Sequence, residues 1–455
     1  MGFIMKNTVK KDKLLFSNSA LKKLIIPLIV EQLLSIFVGM ADSIMVASVG
    51  EAAVSAVSLV DSISLLLFFI FSAVATGGTV VAAQYLGSKK KEEACHSCDQ
   101  LLSLTIVISF VITIIMYLGR GFILNTLFGK VEPDVKAFAN TYLLIVFAAI
   151  PFMALYNFGA AMFRAMGNTK VSMKISILMN TINVVGNAVL IYGFNRGVEG
   201  VAIPTLISRI IAAVIVIMLL KNQDLTVHLS IKYRFGLEGE MVKRILKIGI
   251  PNGVENSLFQ LGKIMLMSFI STLGTTAVAA NAVGNTVSTF EVMPGIAMGH
   301  AVITVISHCI GAGDYEQAKY YTKKLLAITY AMHLVINILI FAALPLILKA
   351  YNLSEATSIL AEKILIFHGF FAVTVWPVAF TLPNTLRAAN DAKFTMIISV
   401  ASMWIFRIGF GILLGGYFGI GVFGVWVAMI IDWFVRVIFF VGRYVKGGWM
   451  NKKLI

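Results

Sequence analysis

Apolar runs of twenty or more residues recur along the chain, separated by short polar connections, and each is long enough to cross about 30 Å of hydrocarbon as a helix. Twelve spans are predicted, over 24–47, 53–83, 99–119, 138–162, 171–194, 199–220, 246–271, 277–308, 325–348, 359–386, 394–416 and 420–442. No segments of alternating polarity bounded by turns occur, and lipid tolerates little besides helices and closed barrels, so the chain reads as an all-α integral membrane protein. Pro27, Pro151, Pro204, Pro251, Pro294, Pro345, Pro377 and Pro383 fall within spans, where each removes a helix hydrogen bond and permits a kink.

The pattern repeats itself. At an offset of 224 residues Pro27 falls on Pro251, Glu31 on Glu255, Gly50 on Gly274, Ala53 on Ala277, Gly87 on Gly311 and Glu92 on Glu316. Further along, Arg164-Ala165 falls on Arg387-Ala388, Lys170 on Lys393, and Gly197-Val198 on Gly421-Val422. Two six-helix bundles fused head to tail, with both copies oriented alike, are expected, an arrangement that in transporters places a substrate path at the repeat interface. The domain reading is a tail over 1–19, an N-lobe over 20–220, a charged linker over 221–244, a C-lobe over 245–443 and a second tail over 444–455.

Composition agrees with a lipid solvent: 59% of the 455 residues are hydrophobic, 13% are charged, and mean hydropathy is +0.90. The net charge of +15 does not point to nucleic acid, because the basic residues alternate between connections. With the first end inside, 27 Lys and Arg fall on the inner side and 6 on the outer, while Arg209, Lys263, Arg407 and Arg436 lie inside spans. This distribution predicts cytoplasmic termini in the cell membrane and a first span that is retained, since it is too long for a signal peptide and lacks a cleavage site. Cys95, His96 and Cys98 are too few for a zinc site, so no metal and no disulfide are expected.

Three groups of strings carry a family resemblance. Pro27-Leu-Ile-Val-Glu31-Gln32, Gly39-Met-Ala-Asp42 and Val49-Gly-Glu-Ala-Ala-Val resemble the first span of multidrug and toxic compound extrusion (MATE) transporters. Gly249-Ile-Pro251, Leu273-Gly-Thr-Thr-Ala-Val-Ala-Ala280, Met293-Pro294 and Gly311-Ala-Gly-Asp are similar to that family's seventh and eighth spans and the loop beyond. Phe163-Arg164-Ala-Met-Gly-Asn168 and Leu386-Arg387-Ala-Ala-Asn-Asp391 resemble its repeated loop motif. The resemblance covers residues 20 to about 440. It implies a twelve-span, V-shaped exporter that expels amphipathic, often cationic compounds in exchange for H+ or Na+.

An acid inside a span costs roughly 2.5 to 3.5 kcal/mol on insertion scales, so it is expected to line water or to have a partner. Glu31, Asp42, Asp61, Glu255, Glu291 and Asp432 are the candidates. The resemblance, to the prokaryotic branch like DinF, singles out Asp42 as the ion-coupling residue, with Pro27, Asn183, Asn187 and Thr205 around it; Glu31 and Asp61, as acids inside spans of the same lobe, are expected to belong to that polar network. Asn187 departs from relatives that carry an aspartate there, and an amide cannot titrate. The branch resembling NorM places a glutamate eight residues after the seventh-span proline, where this chain has Phe259. The C-lobe instead holds Glu255, Lys263, Glu291 and Arg407, expected to neutralise one another as a charged network. His300, His308, His333 and His368 read as packing residues.

No nucleotide-binding loop, nucleophile elbow or clustered catalytic acids are present, so a membrane enzyme is disfavoured and energy is expected from an ion gradient. The expected protein is a monomeric secondary antiporter of amphipathic small molecules, with no cofactor beyond its coupling ion. The alternative is a lipid-linked oligosaccharide flippase of the same superfamily, to which Lys263 and Arg407 would offer charges for phosphate.

Overall fold

A computed structural model describes residues 14–128, 131–231 and 233–452. Among these there is no strand. The helices are α1 (Asn18–Ala47), α2 (Glu51–Gly87), α3 (Lys91–Leu118), α4 (Pro133–Ala148 continued by Ile150–Ala165), α5 (Thr169–Gly193), α6 (Glu199–Leu220), α7 (Gly239–Ser271), α8 (Thr275–Gly311), α9 (Tyr315–Ala350), α10 (Glu355–Thr374 continued by Leu382–Ala388), α11 (Ala392–Tyr417) and α12 (Val422–Val445). Ten are long and apolar enough to cross a membrane, and the two parts of α4, bent by 44° just before Pro151, make an eleventh. The remaining helix, α7, does not reach that mark, being interrupted by Asn252, Glu255, Asn256, Gln260 and Lys263.

The chain clusters into two compact units, residues 26–253 and residues 1–25 with 254–455, so the divisions fall inside α1 and α7. In the first unit, helices approach closely where side chains are small. An added Cβ on Gly159 of α4 would stand 2.0 Å from Val216 Cγ1 of α6. The polar stretch between α6 and α7 lies on α3: Ser230 N donates to Asp99 Oδ1 (3.1 Å) and Glu238 N to Gln100 Oε1 (2.7 Å). In the second unit Gly295 of α8 packs against Trp376, whose ring would be 1.9 Å from an added Cβ.

The expected N-terminal tail lies outside the described residues up to position 13, as do Lys130, Lys232 and Lys453. Its described end is held in place: Phe16 N donates to Tyr321 Oη (2.8 Å), which donates back to Phe16 O (2.7 Å), and α1 already begins at Asn18.

The internal repeat is visible in the backbone. Left-handed residues occur in pairs at the repeat offset: Gly50 with Gly274, Lys89 with Gly313 and Asn195 with Gly419, each 224 apart, and Gly167 with Asn390, 223 apart. Gly50 (φ 136°, ψ 165°) and Gly274 (φ 97°, ψ 168°) open α2 and α8 in a region open essentially to glycine alone, which is why the repeat keeps glycine there.

Candidate functional site

The N-terminal unit brings its acids into two groups rather than one network. Asp42 sits late on α1, and its Oδ1 accepts from Asn187 Nδ2 of α5 at 2.7 Å. Asp61 on α2 accepts from Tyr142 Oη of α4 at 3.2 Å, and Arg209 of α6 lies within electrostatic reach of Asp42, Asp61 and Tyr142. Five helices thus converge on two carboxylates. Asn187 and Tyr142 are buried, Asp42 and Arg209 are half-buried and Asp61 is exposed, so the acids sit at the accessible edge of a buried polar cluster. One turn before Asn187, Asn183 Nδ2 donates to Thr205 Oγ1 at 3.0 Å. The amide of Asn187 therefore donates at a place where a second carboxylate would repel Asp42.

Glu31 belongs elsewhere. It is eleven residues, three helical turns, before Asp42, and its Oε1 accepts from Tyr156 Oη of α4 at 3.3 Å with Arg164 nearby. Pro27, buried inside α1, precedes it by one turn.

In the C-terminal unit the expected neutralising network of Glu255, Lys263, Glu291 and Arg407 does not form. Glu255 Oε1 accepts from Arg387 Nη2 at 2.7 Å, at the C-terminal end of α10. Glu291, fully buried on α8, meets His368 Nδ1 of α10 in a short contact, so His368 is a hydrogen-bond partner of a buried acid and not merely a packing residue. Asp432 bonds Arg436 Nε at 2.9 Å one turn along α12. No carboxylate lies within 4 Å of Lys263 or Arg407 among the described residues. Glu255 and Glu291 found partners on another helix, which sequence spacing could not nominate, whereas Arg436 stands four residues after Asp432 on the same helix.

The Glu–Arg arrangement is itself repeated. Glu31 with Arg164 and Glu255 with Arg387 occupy equivalent places, each acid one turn after the repeat's proline and each arginine in the repeated loop motif. The Asp42 cluster is not repeated: Leu266 and Asn285 stand at the places of Asp42 and Asp61. Arg209, Tyr142, Tyr156 and His368 were missed by the sequence reading. Arg209 had a signal, a lone charge inside a span, whereas the tyrosines are indistinguishable there from packing aromatics.

A duplicated bundle of long apolar helices, with partly accessible acids set along them, is the architecture of a membrane transport protein. The MatE family model matches residues 27–189 and again 251–413, two copies offset by the same 224 residues as the internal repeat. The chain therefore belongs to the MatE family of multi-pass membrane transporters. It is 29% identical over 464 residues to the uncharacterized transporter YisQ of Bacillus subtilis (strain 168), covering 96% of this chain and 98% of that one. It is 23% identical to a probable multidrug resistance protein NorM of Thermotoga maritima, covering 99% and 97%. Among solved structures it shares the fold of an outward-facing multidrug resistance MATE transporter (TM-score 0.87, 20% identity, 95% and 96% covered). It shares it equally with a MOP superfamily transporter of Pyrococcus furiosus Vc1 (DSM3638) described as having a binding pocket of reversed polarity (TM-score 0.86, 20% identity, 95% and 96% covered).

Proposed function

We propose that the protein is a secondary antiporter that exports amphipathic small molecules in exchange for H+ or Na+ by alternating access, and that Asp42 is its coupling residue. The arrangement of Asp42 carries this reading. A half-buried carboxylate held by one amide donor, with Asp61 and Arg209 beside it, can bind a proton or a sodium ion when water reaches it and give it up when its neighbours rearrange. Family membership and the multidrug names of several relatives support a small-molecule cargo. The charge asymmetry of the loops supports a cell-membrane protein with both ends in the cytoplasm.

Purified protein in liposomes with an imposed pH or sodium gradient tests the proposal. Efflux of a fluorescent amphipathic compound should follow one gradient in the wild type and be lost in Asp42→Asn, with an unchanged thermal melt. Undiminished gradient-driven efflux in that variant would remove Asp42 from the mechanism. Turnover of labelled lipid-linked head groups without efflux would replace the antiporter by the flippase.

A further inference from the structure

Three cations converge on one aromatic ring inside the C-terminal unit. Lys263 Nζ lies 5.4 Å from the centroid of Phe259, the Arg407 guanidinium carbon 5.3 Å and that of Arg436 5.5 Å. The acid beside them, fully buried Asp432, is engaged at Oδ1 by Arg436 and by Ser402, while its Oδ2 has no partner. Lys263 and Arg407 face each other's charge with no carboxylate within 4 Å among the described residues. A ring quadrupole attracts a cation weakly compared with the repulsion between neighbouring cations away from bulk water, so Phe259 alone does not account for the gathering.

Donors are also left over. Arg407 Nε and Trp404 Nε1, three residues apart on α11, are buried without a hydrogen-bond partner, as is Trp433 Nε1 next to Asp432 on α12. Buried donors are nearly always satisfied, and even counting Asp432 Oδ2, itself buried without a partner, the orphaned donors outnumber acceptors beside an excess of positive charge. The helix is π-wound over Met403–Gly409, whereas the equivalent turn of α5 in the first half is α-helical, and such local rewinding is frequent at functional sites. The fold itself does not demand these charges. At the repeat positions of Lys263, Arg407 and Arg436 the first half has Gly39, Asn183 and Ala212.

We propose that this cage is a binding site for the anionic group of an amphipathic ligand. A carboxylate, sulfonate or phosphate would accept from Lys263, Arg407 and Trp404 while its apolar body lies against Phe259. Lys263 is exposed, Arg407 half-buried and Arg436 buried, so the cage is open at its Lys263 side. The same chemistry is offered by a free organic anion and by an anionic lipid headgroup. Occupancy of the cage is an equilibrium property, independent of coupling ion and of Asp42, so it stands or falls separately from the antiport reading.

The test is isothermal titration of the full chain in nanodiscs of phosphatidylcholine, with 2-naphthoate and its positively charged counterpart, naphthylmethyl-trimethylammonium. Naphthoate should bind the wild type saturably, and Lys263→Gln should weaken it about tenfold, the worth of one charge-assisted hydrogen bond. Arg407→Gln should weaken it at least as much and Arg407→Lys less, while the ammonium probe gains nothing from the intact cage. Lys263 is exposed, so Lys263→Gln decides the matter even where the arginine variants fail to fold. Adding phosphatidylglycerol to the discs identifies the source. Competition in the wild type that is absent from Lys263→Gln assigns the cage to a lipid phosphate, and unaltered naphthoate affinity assigns it to a free solute. No saturable naphthoate binding, equal affinity in wild type and Lys263→Gln, or an ammonium probe lost in the same variants would each overturn the proposal.

Discussion

Replacing Glu255 by Gln keeps the shape of the side chain but leaves the Arg387 guanidinium with neutral acceptors alone, the new amide oxygen and Asn384 Oδ1 at 2.7 Å, and no counter-charge in a place only 9% exposed. Removing one member of a buried pair costs about 3 to 5 kcal/mol, whereas removing both together is close to neutral. The direct bond is 2.7 Å long, and Glu255 Oε2 and Arg387 Nε are buried without partners, so the pair relies on this one contact and the lower end, about 3 kcal/mol, is expected for Glu255→Gln. The double variant Glu255→Gln/Arg387→Met should recover most of that loss, a coupling of about 2 kcal/mol or more. Unfolding of the wild type, both single variants and the double variant in a fixed mild detergent measures it. The repeat counterpart Glu31→Gln should cost less, about 1 kcal/mol, because its direct partner is a tyrosine hydroxyl at 3.3 Å. Single losses that simply add in the double variant would refute the reasoning: the two charges would then be solvated separately despite their proximity.

Three further outcomes are expected. Tyr142→Phe removes the donor 3.2 Å from Asp61 and should cost about 1 kcal/mol while slowing gradient-driven efflux, which a melt and a liposome assay read separately. Gly159→Ala places a methyl group 2.0 Å from Val216 Cγ1, a β-branched side chain with little freedom, and should lower the melting temperature, with partial rescue by Val216→Ala. Gly50→Ala and Gly274→Ala each force a side chain into glycine-only backbone and should each cost about 1 to 3 kcal/mol. Lying in separate units, those two losses should add in the double variant, and a non-additive result in calorimetry would show the openings of α2 and α8 to be coupled.

Much of the candidate site was legible, and the reason differs by residue. Asp42, Asn187, Asn183 and Thr205 were named from the family resemblance, and they form two hydrogen-bonded pairs, Asp42 with Asn187 and Asn183 with Thr205. Glu255 and Glu291 were found because an acid inside an apolar run is conspicuous, but their partners were assigned wrongly. They were grouped with Lys263 and Arg407 because those were the conspicuous charges inside spans, whereas Arg387 looked like part of a loop motif and His368 like packing. The recurrence of Glu31 as Glu255 and of Arg164 as Arg387 marked those arginines as candidates beside the acids, although only Glu255 and Arg387 form an ion pair among the described residues.

Membrane residence, helix number and two-fold internal symmetry are properties of the chain read one residue at a time. A bilayer demands about twenty apolar residues per crossing, and a duplication leaves its prolines, glycines and arginines in register. Which charge meets which is a different kind of fact. Partners such as Asp61 and Tyr142, Glu291 and His368, or the three cations around Phe259 lie on separate helices, and helix rotation and close approach at glycines decide which side chains face one another. Those rotations come from packing many side chains at once, so only the folded molecule divides a row of buried charges into neutralised pairs and a cage with positive charge to spare.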